Sequence, residues 1–201
     1  MYKNDLPHDF HLPGDLAIDT ETMGLQFHRD RLCVLQMSNG DRNSSLVQFD
    51  NTDYNAPNLK KVLLDKNRGK IFHYARFDLA VIKKYLKIDL TNIFCTKIAS
   101  KLVRTYTDRH GLKDLCKELL DLNISKQCQS SYWGADELSS DQTEYAAKDV
   151  IYLHSLRAIL IERLIDLDRN KIAHELFDFL PTRANLDLIG WNNIDIFSHS
   201  S

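Results

Sequence analysis

Residues 15–21 read Asp15-Leu-Ala-Ile-Asp19-Thr20-Glu21, and this stretch decides the fold. Leu16, Ala17 and Ile18 form a short apolar run that ends on a charge, the pattern of a buried strand. In an extended chain residues i and i+2 point to the same side, so Asp19 and Glu21 present two carboxylates together at the strand's C-terminal end. Gly24 then breaks the chain. Residues 31–37, Arg-Leu-Cys-Val-Leu-Gln-Met, form a second strand, and Asn39-Gly40-Asp41 makes a turn. A third strand over 45–49 completes a hairpin with the second, so the chain opens as a three-strand β-meander.

Beyond the meander, strands and helices alternate. Pro57 sits just inside a helix that the spacing of Leu59, Val62 and Leu63 carries to about residue 66. A strand follows over 70–74, a helix over 78–86 with Leu79, Ile82 and Leu86 on one face, and a short strand over 92–95. Helices are expected at 98–103 and 112–120, then a long one over 141–165, and one over 168–180 that stops before Pro181. Meander strands followed by β-α-β units make an α/β fold, a mixed sheet flanked by helices. The expected organisation is a domain over 1–180 and a C-terminal extension over 181–201. The extension is irregular yet carries seven apolar residues between Leu186 and Phe197, a set that marks an interface with a neighbouring subunit or a hidden core contact.

Composition narrows the function classes. With 43% hydrophobic and 27% charged residues over 201 positions, there is enough apolar material for a sizeable core, which excludes disorder for most of the chain. The 26 basic and 28 acidic residues balance to −2, against a protein that coats long nucleic acid by bulk electrostatics. Cys33, Cys95, Cys116 and Cys128 contain no C-x-x-C pair, against a zinc cage. No apolar run is long enough to cross a bilayer, and the polar residues 1–13 lack a signal-like stretch, so no membrane partner and a cytoplasmic location are expected.

Two more acids stand out. Asp78, in His73-Tyr-Ala-Arg-Phe-Asp78, lies just past a strand where a helix begins. It serves there either as an N-cap or as a ligand at the C-terminal edge of the sheet. Tyr145 and Asp149, in Glu144-Tyr-Ala-Ala-Lys-Asp149, are four apart and share a helix face that continues through Ala146, Val150, Leu153 and Leu160. An aspartate on such a core-facing stripe needs a partner. Asp19 and Glu21, close together and buried, repel, and a hard divalent cation such as Mg²⁺ or Mn²⁺ removes that cost. Taken singly, each of these acids also has an ordinary structural explanation.

Together, a D-x-E at the end of the first strand, an aspartate after a later strand and Y-x-x-x-D on a late helix resemble the DEDD exonuclease superfamily in its tyrosine class. The sister class has a histidine five residues before the last aspartate, where this chain has Glu144. His73 and Tyr74 open the second motif in the manner of the ribonuclease D branch, which His110-Gly-Leu-Lys-Asp-Leu115 and Lys126-Gln-Cys-Gln-Ser-Ser-Tyr-Trp133 also resemble. The resemblance covers about residues 15–163. Phe177-Asp-Phe-Leu-Pro-Thr-Arg183 and Leu186-Asp-Leu-Ile-Gly-Trp191, in a chain without helical accessory domains, are similar to nano-RNase C, an alphaproteobacterial family that degrades very short RNA and assembles into rings.

The resemblance implies a ribonuclease H-like fold and a two-metal 3′–5′ exoribonuclease with two Mg²⁺ or Mn²⁺ ions. It acts on short single-stranded RNA, chiefly dinucleotides, and releases nucleoside 5′-monophosphates. Asp19 is the bridging ligand, Glu21 and Asp149 serve the water-side metal, and Asp78 serves the other, through water. Tyr145 orients the attacking water. Leu25, flanked by Met23, is the wedge between the last two bases, and Thr20, His73, His110 and Lys126 complete the substrate-binding set. Arg104, Arg109, His110, Lys113 and Lys126 make a local basic cluster. A homo-oligomeric ring, an octamer by the resemblance, is expected. Trimming of longer or structured RNA 3′ ends stands as the alternative, and a catalytically dead RNA-binding scaffold as a second.

Overall fold

The structure, a computed structural model, describes all residues except 51, 52, 125–127, 129, 200 and 201. Six strands, β1 (Tyr2–Lys3), β2 (Leu16–Thr22), β3 (Leu32–Ser38), β4 (Ser45–Gln48), β5 (Lys70–Phe72) and β6 (Ile93–Cys95), form one sheet in the order β1-β4-β3-β2-β5-β6. The meander is present as expected, with β2 antiparallel to β3 and β3 antiparallel to β4. β5 and β6 then add in parallel beside β2, through the crossovers that parallel pairing requires. The mixed α/β sheet matches the ribonuclease H-like expectation. β1, which the periodicity does not announce, pairs with β4 at the far edge.

The apolar run of β2 explains its central place. Leu16, Ala17 and Ile18 are wholly buried, as is every residue of β3, because helices cover the sheet. Burying each large aliphatic side chain contributes about 1.5–3 kcal/mol. The helices are α1 (Pro57–Leu63), α2 (Ala75–Leu86), α3 (Thr96–Val103), α4 (Leu112–Leu120), α5 (Ser140–Ile151), α6 (Leu153–Asp166) and α7 (Asn170–Leu186). α5 lies across β2, β3 and β4, and α7 packs on α2, α3 and β6. A capping box starts α5, with Ser139 accepting from the Gln142 amide.

Four expectations need correction. The helix over 141–165 is two helices, parted at Tyr152, which leaves helical hydrogen bonding while its φ of −95° stays near the helical range. α2 begins at Ala75, three residues early, so Asp78 is in the first turn and is not the N-cap; Tyr74 holds that place in a left-handed conformation, φ 69°. The last helix does not stop before Pro181. The stripe Ala173, Phe177, Leu180 and Ala184 stays buried across it, and that packing outweighs the one backbone bond proline removes. Nor is the chain irregular from residue 182: it finishes α7 and makes one wide π-type turn, Asp187–Trp191, which Gly190 ends at φ 102°, a value that glycine adopts without strain.

Candidate active site

The site forms where β2 ends. Register between β2 and β3 shifts at Glu21/Thr22, and such a bulge re-aims the side chains beside it. β5 runs parallel to β2, with Leu16 beside Lys70 and Ala17 beside Ile71, so the chain leaving β5 arrives next to Asp19. Tyr74 turns it sharply into α2, at a backbone strain of about 1–3 kcal/mol. Asp78 is thereby buried at the same sheet edge, where its Oδ1 accepts the Thr20 hydroxyl at 2.7 Å. α5 brings Tyr145 and Asp149 from the other direction. Oxygens of Asp19, Glu21 and Asp149 lie within 4.8 Å of one another.

Packing fixes the carboxylates individually. Gln36, directly opposite Asp19 in the β2/β3 register, donates its amide to Asp19 Oδ2 at 2.8 Å, and its buried Oε1 has no hydrogen-bond partner. Trp133 lies 6.1 Å from the Tyr145 ring, centroid to centroid. Gly24 is required by its surroundings. A Cβ there would run into the Asp30 carboxyl, which accepts the Gln26 amide at 2.8 Å and pairs with Arg29. That loop presents Leu25, 77% exposed, and Met23.

The electrostatics are those of crowded acids. Burial, then Asp78, Asp149 and Glu21, push Asp19 well above the usual carboxylate range. Burial, then Asp149 and Asp78, raise Glu21 to about 9. Burial lifts Asp78 to about 7 against the Thr20 hydrogen bond, and lifts Asp149 to about 7 against a hydrogen bond with Tyr145. The Tyr145 phenol is raised far above its ordinary value by burial and by Asp149 and Glu21. It therefore keeps its proton and is a donor rather than a base.

These residues fit divalent cations. Carboxylate oxygens are hard ligands suited to Mg²⁺ or Mn²⁺, three of the acids converge, and their mutual repulsion is what a cation relieves. Asp78 lies outside the tight group of three, beyond Thr20.

A cleft of about 650 Å³ opens over the carboxylates. Thr20, Met23, Leu25 and His73 line it along with all five motif residues. Thr20 is turned toward Asp78, and His73 Nδ1 is 2.9 Å from the Thr96 hydroxyl. His110 is not in the described wall of the cleft. Its Nδ1 meets the Ser100 hydroxyl at 2.9 Å, within a structural cluster in which buried Arg104 grips Glu118 and pulls its carboxyl down to about 2. Arg104 is thus turned inward, and of the basic cluster Lys113 is the member in the cleft wall. Lys126 lies outside the described residues. The sequence reading missed Gln36, Phe77, Trp133 and the pair Lys97–Tyr74, whose ammonium sits 4.4 Å from the ring centroid in the same wall. Tyr74, Phe77 and Trp133 fall inside stretches that carry the family resemblance but have no role assigned there, while no local pattern marks Gln36 or Lys97.

A mixed sheet with clustered carboxylates at one strand end defines a class. A family model described as 3′–5′ exonuclease matches residues 6–165, and the chain belongs to that family of phosphodiester hydrolases. Within it, the similarity is to NrnC, nano-RNase C. The structure of Brucella melitensis NrnC bound to pGG is 54% identical, with a TM-score of 0.94 over 99% of this chain and 97% of that one. The same protein with bound Mg²⁺ is 53% identical, with a TM-score of 0.93 over 99% and 98%. Ribonuclease D of Gluconacetobacter diazotrophicus is 32% identical over 154 residues, 74% of this chain and 37% of that protein. The chain spans between a quarter and about half of the length of the first curated relatives it matches. Among the described residues no helix is long and apolar enough to cross a membrane.

Proposed function

We propose that the chain is a metal-dependent 3′–5′ exoribonuclease that hydrolyses short RNA, chiefly dinucleotides, to nucleoside 5′-monophosphates. The observation that carries this is the convergence of Asp19, Glu21 and Asp149, with Asp78 beside them, at the floor of a cleft. These four acids would hold two Mg²⁺ or Mn²⁺ ions. Bound there, such ions make a water nucleophilic near neutral pH and neutralise charge on the phosphate oxygens. Tyr145, protonated and beside Asp149, holds the attacking water by its hydroxyl. Thr20 fixes Asp78 and Gln36 fixes Asp19. Exposed Leu25 wedges between the last two bases, and Lys113 contacts substrate phosphate.

Short substrates are favoured on two grounds. The cleft volume falls within the roughly 300–1,000 Å³ typical of small-ligand pockets, room for a short oligonucleotide. The net charge of −2 also supplies little of the phosphate attraction that long RNA needs. The pGG ligand of the Brucella relative supports the same reading. Ile189, Trp191, Ile194, Ile196 and Phe197 remain exposed on the C-terminal segment, which supports a homo-oligomeric ring.

The deciding experiment is hydrolysis of end-labelled RNAs from two to ten nucleotides with Mn²⁺. Fastest turnover of the two-mer is expected. Equal or faster turnover of the longer RNAs would favour ribonuclease D-like trimming, to which the Gluconacetobacter similarity also points. No turnover, with no metal-dependent rise in melting temperature, would favour the inactive scaffold.

A further inference from the structure

A half-buried ion pair links the C-terminal segment to the turn that precedes Asp78. Arg76 Nε donates to Asp187 Oδ2 at 2.6 Å and Arg76 Nη2 donates to Asp187 Oδ1 at 2.7 Å, a two-pronged pair across 111 residues of chain. The same Nη2 reaches the Asn192 carbonyl at 2.6 Å. The Asp187 side chain is 1% exposed. Arg183 supports it from within α7, 3.4 Å from Asp187 Oδ1, and donates to the carbonyls of Trp191, Asn192 and Ile194. Gly190, in its left-handed conformation, bends the backbone so that these carbonyls face the two arginines.

Arg76 stands two residues before Asp78 in the first turn of α2. That turn has no side-chain cap and starts from strained Tyr74. A left-handed residue at a helix start persists only where its surroundings over-determine it. The first turn of a helix leaves most of its N–H groups without intrahelical partners; here the Phe77 N–H reaches the Tyr74 carbonyl at 3.1 Å, and contacts from the rest of the chain add to the placing of the turn. Residues i and i+2 project about 200° apart on a helix, so Arg76 can be held from behind while Asp78 faces Thr20.

We propose that Arg76 and Asp187 are positioning residues: the C-terminal segment docks through this pair and sets the turn that carries Asp78. The pair is self-enforcing, because a buried carboxylate without its arginine is strongly unfavourable. The inference rests on the reading that Asp78 serves the reaction.

The test uses the full chain and the variants Arg76→Ala, Asp187→Asn and Arg76→Lys, with Ile189→Glu as a control that alters the exposed face without touching the pair. Hydrogen exchange is followed without metal at residues 77–80 and 187–197. For Arg76→Ala and Asp187→Asn, exchange at 77–80 should rise about tenfold. On two-nucleotide RNA, kcat should fall about tenfold with KM within about twofold of the parent. Arg76→Lys, which keeps the charge and one prong, should recover most of both effects, and it keeps the test open if Arg76→Ala does not fold. Faster exchange confined to 187–197 would overturn the proposal. So would an equal loss in Ile189→Glu, which would assign the effect to assembly. If the parent hydrolyses nothing, the proposed function fails while the exchange at 77–80 still decides the clamp.

Discussion

Gln36 stands directly across from Asp19 on the adjoining antiparallel strand and donates its side-chain amide to Asp19 Oδ2 at 2.8 Å. A wholly buried glutamine with an unpartnered Oε1 is an unfavourable core residue. Its place is explained by the carboxylate it holds.

Gln36→Leu removes the carbonyl without a partner but also the donor to buried Asp19 Oδ2, so the two effects oppose and the metal-free fold should change little in stability. The Mn²⁺ concentration at half-maximal activity should rise about tenfold, the effect of losing one charge-assisted hydrogen bond. Melting temperature with and without Mn²⁺, measured beside the rate, checks both halves. An unchanged Mn²⁺ midpoint would make Gln36 a packing residue.

Asp19→Asn and Asp149→Asn should each reduce hydrolysis by about 10³-fold or more, because each removes a hard anionic ligand from the metal site. The metal-free proteins should melt at or above the parent temperature, since one of several mutually repelling acids has gone. Retention of more than a trace of the parent rate in Mn²⁺ would refute the assignment.

Tyr145→Phe keeps the ring and its packing near Trp133 and deletes the hydroxyl. A fall in kcat of about 10²-fold or more with KM nearly unchanged is expected for a contact made mainly in the transition state. Steady-state kinetics at saturating Mn²⁺ give the answer, and an unchanged kcat would leave Tyr145 as a core aromatic.

Stability without metal should fall as pH rises. Glu21 stands at about 9 in the folded chain against an ordinary 4.5, and Asp78 and Asp149 at about 7 against 3.8. The folded state thus keeps protons that the unfolded chain releases. Stability is full below the unfolded values near 4 and is lost as pH climbs through about 7 toward 9. Thermal melts in chelator from pH 5 to pH 9 should show this decline, and Mn²⁺ should add more to the melting temperature at pH 8 than at pH 6. A flat profile in chelator would mean that the carboxyls are solvated and ionised.

Ile189 is 70% exposed and Trp191 is 43% exposed on the π-type turn. Ile189→Glu with Trp191→Ser should lower the oligomeric mass seen by light scattering, because it places charge and polarity on an apolar face. An unchanged mass would locate the interface elsewhere.

Local order is what this sequence determined by itself. The apolar run 16–18, the two-residue step from Asp19 to Glu21 and the four-residue step from Tyr145 to Asp149 depend only on strand and helix periods. They announced the central strand and the packed face of α5, while the role of Asp78 and the grouping of the five motif residues came from the family resemblance. Tertiary structure decided what long-range pairing and turn geometry control. Gln36 meets Asp19 through a register across 17 residues, Thr20 meets Asp78 across 58, and Arg76 meets Asp187 across 111. Arg104 and His110 look like surface cations in sequence, yet buried Arg104 pairs with Glu118 and with the Ser100 hydroxyl that His110 also meets. Helix α7 passes Pro181 because the packing of Phe177, Leu180 and Ala184 outweighs a local stop signal. A periodicity reports one residue's neighbours along its own element, and the site is made of side chains that become neighbours only when separate elements pack.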